Sequence, residues 1–211
     1  MWERALRMRE LLLTHDPAGL RGLCDAGFWE RVGESELVEL ARDAASAEML
    51  GVLGRRSLLL VETPEGEVPR CAVEQQWAGQ AYVVEDQRLF SLVDRAEVEA
   101  AGDPGRLARL RTKLEAQDAG ARYAALLASH DVDGVSAMWT ESFREAHGDE
   151  VRPRIVAVRA AELIAGVGPR TLVRCRFDDG EETVEVLWQE TESGWLVHGA
   201  RTFRPWRMPG G

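Results

Sequence analysis

The sequence predicts an α+β fold in which one module, two N-terminal helices packed on a short antiparallel sheet, occurs twice. The chain matches itself at offsets of 113 to 115 residues, with 17 identities in 57 aligned positions. Unrelated sequences of ordinary composition match at about one position in fifteen. In each half, apolar residues at helical spacing are followed by segments in which apolar and polar residues alternate, as they do in strands. We therefore predict tandem modules at residues 1–102 and 106–208.

The self-match is clearest where the first helix of each module should end. His15-Asp16 aligns with His130-Asp131. Aspartate is a good helix N-cap and Pro17 suits the first helical position, so the second helix of each module should begin at these aspartates. Because adjacent residues do not face each other in a helix, we favour a structural role for both His-Asp pairs over a catalytic dyad.

The second helix carries an apolar stripe in each copy. In the second copy this stripe comprises Val135, Met138, Trp139, Ser142 and Phe143. Upstream of it, a helical pattern runs from Arg106 to Ser129, after the break at Asp103-Pro104-Gly105. After the second helix, the segment 35–47 of the first copy is typical of a helix, whereas 154–158 of the second copy is typical of a strand. A strand is also expected across 49–53 and its counterpart.

Turn residues predict the remaining strands. Asp178-Asp179-Gly180 separates strands at 171–177 and 183–188, which is a hairpin signal. A second turn at Glu192-Ser193-Gly194 leads to a strand at 195–203. The equivalent strands of the first copy are 57–62, 71–77 and 82–90.

Two helices with an Asp-capped break, followed by a curved sheet that ends in Gly194-Trp195, resemble the NTF2-like superfamily, whose modules have a cone-shaped, cystatin-like fold. This fold is shared by ketosteroid isomerases and polyketide cyclases, and the likeness is closest in 122–134, which is similar to the first-helix signature of ketosteroid isomerases. It implies two modules arranged as a pseudo-dimer. Both copies look too short for the third helix usual in that family. The fold hosts many unrelated activities, so the resemblance implies little about function.

In that family a tyrosine on the first helix helps to form an oxyanion hole, and Tyr123 stands in its place, with Met8 at this position in the first copy. The acid that partners the tyrosine would fall near Val186, which cannot donate a hydrogen bond. The general base would fall near Asp149, in a segment expected to be a loop. An isomerase needs a base and a polarising pair around one carbonyl, so we assign no catalytic residue.

The candidate ligand-pocket residues are Tyr123, Trp139, Phe143 and Trp188. Because these side chains are bulky, we expect them to fill the second cone largely by themselves. The Tyr123 hydroxyl should then bond a backbone carbonyl or water. A deep cavity lined by Tyr123 and a carboxylate from Asp149 or Glu150 would instead favour a small-molecule site.

Neither a metal site nor a cofactor is expected. The three cysteines, Cys24, Cys71 and Cys175, lie far apart without a C-x-x-C motif, which fits a reducing compartment. The sequence has no H-x-x-x-H pair and no phosphate-binding glycine loop. Charges interrupt the first residues where a signal peptide needs an apolar core, so we expect a cytoplasmic protein. With 25 arginines to one lysine, the composition is typical of a GC-rich, bacterial genome.

The net charge of −10 argues against nucleic acid and against anionic membranes as partners. The charge is uneven, with −9 in residues 1–105 and −1 in residues 106–211. Our first hypothesis is a non-catalytic module that binds another protein, as an adaptor, an accessory subunit or an acidic immunity-type inhibitor. One alternative is a small-molecule-binding or degenerate isomerase-like or cyclase-like protein with its pocket in the second module. Another is a structural subunit of a larger assembly.

Overall fold

The fold is given by a computed structural model, which describes residues 2–24, 39, 41–62, 70–78 and 83–205. Its contacts divide the chain into two compact units, one of residues Met1–Phe90 with Phe203–Gly211 and one of residues Ser91–Thr202. Helices precede antiparallel strands in the chain, so the predicted α+β class is confirmed. The module boundaries at 1–102 and 106–208 concern a duplication rather than contacts, and they stay predictions.

The first unit begins with two helices and continues into strands that are neighbours in chain order. The elements are α1 (Trp2–Leu13), α2 (Pro17–Leu23), β1 (Ser46–Leu53), β2 (Arg56–Glu62), β3 (Arg70–Ala78) and β4 (Val83–Ser91). Strand β2 pairs antiparallel with both β1 and β3. The helices bury Met8, Leu12 and Leu20 against Leu59 and Val61 of β2. Apolar burial of this kind is what holds short helices to a sheet.

The second unit has the same order of helices and then strands. Its elements are α3 (Arg95–Glu99), α4 (Pro104–Ala128), α5 (Val132–Ala137), α6 (Glu141–Ala157), β5 (Ala160–Val167), β6 (Arg170–Phe177), β7 (Gly180–Thr191) and β8 (Gly194–Phe203). Strand β6 pairs antiparallel with β5 and β7. The helix predicted from Arg106 and the turns at Gly180 and Gly194 are confirmed.

The apolar stripe of the second copy does not lie on one helix as predicted. Helix α5 ends at Ala137, and the Met138 carbonyl accepts a hydrogen bond from the Val197 amide at 2.7 Å. The Thr140 amide donates to the Val197 carbonyl at 2.9 Å, and the Thr140 side chain caps α6. Pairing with strand β8 thus interrupts the helical conformation at residues 138–140, between α5 and α6. Helical periodicity alone does not reveal this interaction with a distant strand.

Two further predictions from local pattern are wrong. Residues 154–157 form the last turn of α6 instead of a strand, and α6 is a third helix of 17 residues. The β-branched residues and Pro153 favour a strand or a break locally, but burial of Ile155 against the core holds the helix. The helix predicted from Ser35 to Ala47 holds in part: residues 39 and 41–43 are helical, Ser46 and Ala47 already lie in β1, and 35–38 and 40 lie outside the described residues.

The His-Asp pairs join two helices in each unit. His130 has a positive φ of 57°, and its amide bonds the Leu127 carbonyl while the Asp131 amide bonds the Leu126 carbonyl. These two bonds are the Schellman arrangement that ends a helix. The Asp131 carboxylate then accepts from the Gly134 amide at 2.8 Å and caps α5, as predicted.

The same joint recurs in the first unit, where His15 has a φ of 52° and Asp16 caps α2. The ring of His15 bonds the Ala41 carbonyl at 2.7 Å, and that of His130 bonds the Val158 carbonyl at 2.5 Å. Each histidine therefore ties a helix end to a segment more than twenty residues away in sequence. Its ring bonds a main-chain carbonyl and does not form a dyad with the adjacent aspartate.

None of the helices among the described residues is long and apolar enough to cross a lipid bilayer.

Replacing Asp131 by alanine should lower the free energy of unfolding by about 1 kcal/mol, because the Gly134 amide loses its cap. Urea denaturation of the full chain measures this. Asp133→Ala is the control, since that carboxylate is exposed and its ion pair with Arg152 contributes little. Equal effects of the two substitutions would contradict the capping role.

Replacing Gly51 by alanine should destabilise the first unit by roughly 1–3 kcal/mol through overpacking. A Cβ at Gly51 would lie 2.8 Å from the Phe203 carbonyl carbon and 2.9 Å from the Arg204 nitrogen, which are main-chain atoms that cannot turn aside. Gly22→Ala is the control, because a Cβ there meets nothing within 4 Å and alanine favours the helix. A thermal melt in which Gly51→Ala is as stable as Gly22→Ala would refute the close approach.

Candidate functional site

Helix α4 places Tyr123 in the interior of the second unit. The buried residues of this helix lie on one face and comprise Ala116, Gly120, Tyr123, Ala124 and Leu127. A Cβ on Gly120 would come within 2.8 Å of the Thr171 hydroxyl oxygen, so the helix lies directly on β6 there. Glycine at this position allows the close approach, and Tyr123 enters the core one turn later.

Tyr123 is surrounded by aromatic groups and is only 7% exposed. Its hydroxyl accepts a hydrogen bond from the Trp139 indole nitrogen at 3.4 Å. The Trp188 ring meets it edge-on, with centroids 5.9 Å apart and planes at 88°. Burial raises the pKa of Tyr123 to about 12. The phenol is therefore protonated near neutral pH and serves as a hydrogen-bond donor rather than as a base.

Two buried tryptophans, Trp139 and Trp188, contact Tyr123. Trp139 is 1% exposed and packs edge-on against Phe143, with centroids 5.6 Å apart. Trp188 is also buried, and its indole nitrogen donates to the Thr171 hydroxyl at 2.8 Å. Both indole N–H groups thus have partners, which fixes the two rings in place.

A cavity of about 250 Å³ opens beside Tyr123 within the second unit. Its walls are mostly apolar and comprise Tyr123, Leu127, Phe143, Val151, Ile155, Val158, Cys175, Phe177, Val184 and Ala200, with polar groups from His147, Glu150, Arg154, Glu182 and Thr202. The prediction that side chains fill the second cone is therefore wrong. The bulky rings pack edge-on as walls instead of occupying the centre.

The four candidate pocket residues divide into two pairs. Tyr123 and Phe143 line the cavity, whereas Trp139 and Trp188 hold these walls from the core side. The Tyr123 hydroxyl accepts a hydrogen bond from the Trp139 indole, and its expected donation to a backbone carbonyl or water stays a prediction. Glu150, one of the two carboxylates considered beforehand, is among the lining residues.

The two positions that the predicted family resemblance would assign to an acid and a base, Val186 and Asp149, do not complete a catalytic set at Tyr123. Val186 is buried in the apolar core and offers no proton. Asp149 lies on α6 rather than on the expected loop, and it lines a separate surface depression together with Asp133 and Arg152. Of Tyr123, Asp149 and Val186, Tyr123 is thus the residue that lines the cavity.

An ion pair at the cavity joins helix α6 to strand β7. The Arg154 guanidinium contacts the Glu182 carboxylate and lies 5.5 Å from the centre of the Phe177 ring. Our sequence reasoning missed both charged residues, which are 28 positions apart. A signal was available, because Glu182 alternates with Val184, Val186 and Trp188 on an otherwise apolar strand face.

Cys175 gives the cavity a thiol with little reactivity. Burial raises its pKa to about 12, and the nearby negative charge of Glu182 adds to the increase. The thiolate is the nucleophile and the metal ligand, so this cysteine is inert near neutral pH. Among the described residues, no three histidine, cysteine, aspartate or glutamate side chains cluster closely enough to hold a metal ion.

Met8, which the self-match of the sequence aligns with Tyr123, supplies no polar group in the first unit. Met8 is completely buried and packs in an apolar cluster with Leu11, Leu12 and Val61. A thioether there cannot replace the hydroxyl of Tyr123 as a donor.

Comparison with protein-family models, curated proteins and solved structures finds no significant match to this chain. The geometry of the second unit is thus the basis for any functional proposal.

The raised pKa of Tyr123 predicts a loss of stability at alkaline pH. Below pH 10 the phenol is protonated in both folded and unfolded chains, and between about pH 10 and 12 only the unfolded chain loses the proton. The free energy of unfolding should fall across that window by up to roughly 2–3 kcal/mol. Tyr123→Phe removes this contribution, so its denaturation curves should change less between pH 10 and 12. Identical pH dependence in the two proteins would contradict a buried, protonated phenol.

Proposed function

We propose that this chain is a small-molecule-binding protein whose second unit holds the ligand in the cavity beside Tyr123. The cavity supports this proposal because it combines apolar walls with a few polar groups, as ligand sites usually do. Its volume of about 250 Å³ suits a compact ligand. A dry cavity of about 150 Å³ already takes benzene, so a molecule with one ring and a short substituent is of the right size.

The hydroxyl of Tyr123 is the group that would orient the ligand. Its oxygen accepts from Trp139, and the hydrogen bonds of the described residues include none in which the hydroxyl donates to another side chain. Accepting one hydrogen bond polarises the O–H group and strengthens it as a donor. A carbonyl or ether oxygen on the ligand is the complementary partner.

We further propose that the two units are tandem copies of an NTF2-like module. Supporting observations come from matching positions of the two units. A β-bulge falls between Met49 and Gly51 in β1 and between Leu163 and Ala165 in β5. The joints at His15-Asp16 and His130-Asp131 have the same backbone geometry and the same capping bonds. The pseudo-dimer arrangement remains a prediction from the family resemblance.

Binding without catalysis is favoured over isomerase chemistry. Proton abstraction next to a carbonyl needs a base within hydrogen-bond reach of the ligand. The position expected for that base, Asp149, lines a different depression, and Val186 takes the place of the second donor. Tyr123 therefore supports recognition of an acceptor more readily than a complete proton-transfer mechanism.

A second candidate function is the binding of another protein. The uneven charge favours it, because residues 1–105 carry −9 and can attract a basic partner at long range. The three cysteines lie far apart in the sequence and form no C-x-x-C motif, which supports the reducing cytoplasm of a bacterium as the location we propose. The two candidate functions are compatible, since they concern different parts of the sequence.

The small-molecule proposal predicts that blocking the cavity abolishes binding. A library of neutral and charged fragments is screened against the purified full chain by ligand-observed NMR, and the bound compounds are titrated. Ala200→Phe puts a ring into the cavity from an exposed position of β8, so affinity should fall at least about tenfold.

His198→Phe is the matched control, because this exposed position on the same strand does not line the cavity. Its affinity for the compounds should equal that of the original chain. Absence of any bound compound, or equal loss in both variants, would contradict the proposed site.

A further inference from the structure

Two charged residues of the cavity lining, Arg154 and Glu182, are paired with each other. Arg154 projects from helix α6 and Glu182 from strand β7, and their side chains are in contact. The Glu182 side chain is only 17% exposed, and the Arg154 guanidinium also lies over the Phe177 ring. A ligand anion that displaced Glu182 from Arg154 would leave a largely buried carboxylate uncompensated, which is strongly unfavourable. A ligand cation would have to displace Arg154, whose side chain is 42% exposed, from a carboxylate that it already contacts.

The deeper wall offers an ionised ligand no counter-ion. Tyr123 and Cys175 are the titratable groups of the buried wall, and burial raises both pKa values to about 12. Both side chains are therefore neutral donors at physiological pH. A carboxylate or ammonium group entering this region would lose its hydration without gaining an opposite charge.

The remaining titratable residues of the lining lie toward solvent. His147 and Glu150 are exposed positions of helix α6. Ionic interactions at exposed side chains are screened by water and salt and contribute little to affinity. These two residues are thus weak determinants of ligand charge compared with the Arg154–Glu182 pair.

We infer that the mutual neutralisation of Arg154 and Glu182 makes the cavity selective for uncharged ligands. This inference rests on the proposed small-molecule function and specifies its ligand class. The class is a compact, largely apolar compound that carries no net charge and has one hydrogen-bond acceptor. Glu182 acts as a specificity determinant by occupying the arginine that would otherwise bind an anion.

Three probes of similar size and different charge test the inference: acetophenone, benzoate and benzylammonium. Their dissociation constants for the purified full chain are measured by calorimetry or by ligand-observed NMR at fixed ionic strength. Acetophenone should bind at least about tenfold more tightly than either ion. Equal affinity for acetophenone and an ionised probe would overturn the inference, although it would leave the small-molecule site itself intact.

Glu182→Gln gives the sharper test because it predicts a gain. The amide keeps the shape of the side chain but frees Arg154, so benzoate should bind at least about tenfold more tightly than to the original chain, while acetophenone changes little. Asp178→Asn is the matched control, since it breaks the exposed Arg159–Asp178 pair outside the cavity lining and should leave benzoate affinity unchanged. Unchanged benzoate binding in Glu182→Gln, with acetophenone still bound, would refute the role of Glu182.

The double variant Arg154→Gln/Glu182→Gln guards against loss of folding, because it removes both charges and leaves neither unpaired. It should bind acetophenone and still discriminate against benzoate. Tight benzoate binding by the double variant would overturn the inference. If acetophenone and the fragments of the wider screen all fail to bind the original chain, the proposed function itself is wrong.

Discussion

The main-chain pairing of residues 138–140 with Val197 determines how the second unit builds its site. Two hydrogen bonds hold this short segment in register with strand β8, and the chain must leave helix α5 before it can enter helix α6. Trp139 lies at the centre of the segment and is thereby directed into the core. From there it reaches both the Tyr123 hydroxyl and the Phe143 ring. A strand edge that would otherwise expose polar groups thus becomes the attachment point for the aromatic wall.

The aromatic side chains beside the cavity meet edge-on, at 88° for Tyr123 with Trp188 and at 75° for Trp139 with Phe143. Edge-on contacts satisfy the ring quadrupoles while keeping the ring centres nearly 6 Å apart. Hydrogen bonds from both indoles prevent the rings from turning into the open space. The size of the aromatic side chains alone suggested that they fill the interior. Their orientation, however, depends on hydrogen-bond partners such as Thr171, which is far from Trp188 in sequence. The open volume is consequently a property of tertiary structure.

Local chemistry was sufficient to predict several elements. Capping by Asp131 and the turn at Asp178-Asp179-Gly180 depend on neighbouring residues, so the sequence displays them directly. Helix α6 was missed because its C-terminal turn contains Pro153 and β-branched residues, and only burial of Ile155 overrides these preferences. For the site, two of the residues that the sequence indicated, Tyr123 and Phe143, are among those that line the cavity. The sequence did not indicate the Arg154–Glu182 pair, since residues on a helix and a distant strand meet only after folding.

The pairing of Val52 with Arg204 has a consequence for the order of events during synthesis. Strand β1 leaves the ribosome well before its partner, because the residues that pair with Val52 follow about 150 positions later in the chain. Since synthesis proceeds at roughly 5–20 residues per second, the nascent chain must wait on the order of ten seconds for this contact. During that interval the edge of β1 at Val52 is open to chaperones and to neighbouring nascent chains, whereas the joint at His15-Asp16 can form at once from adjacent residues.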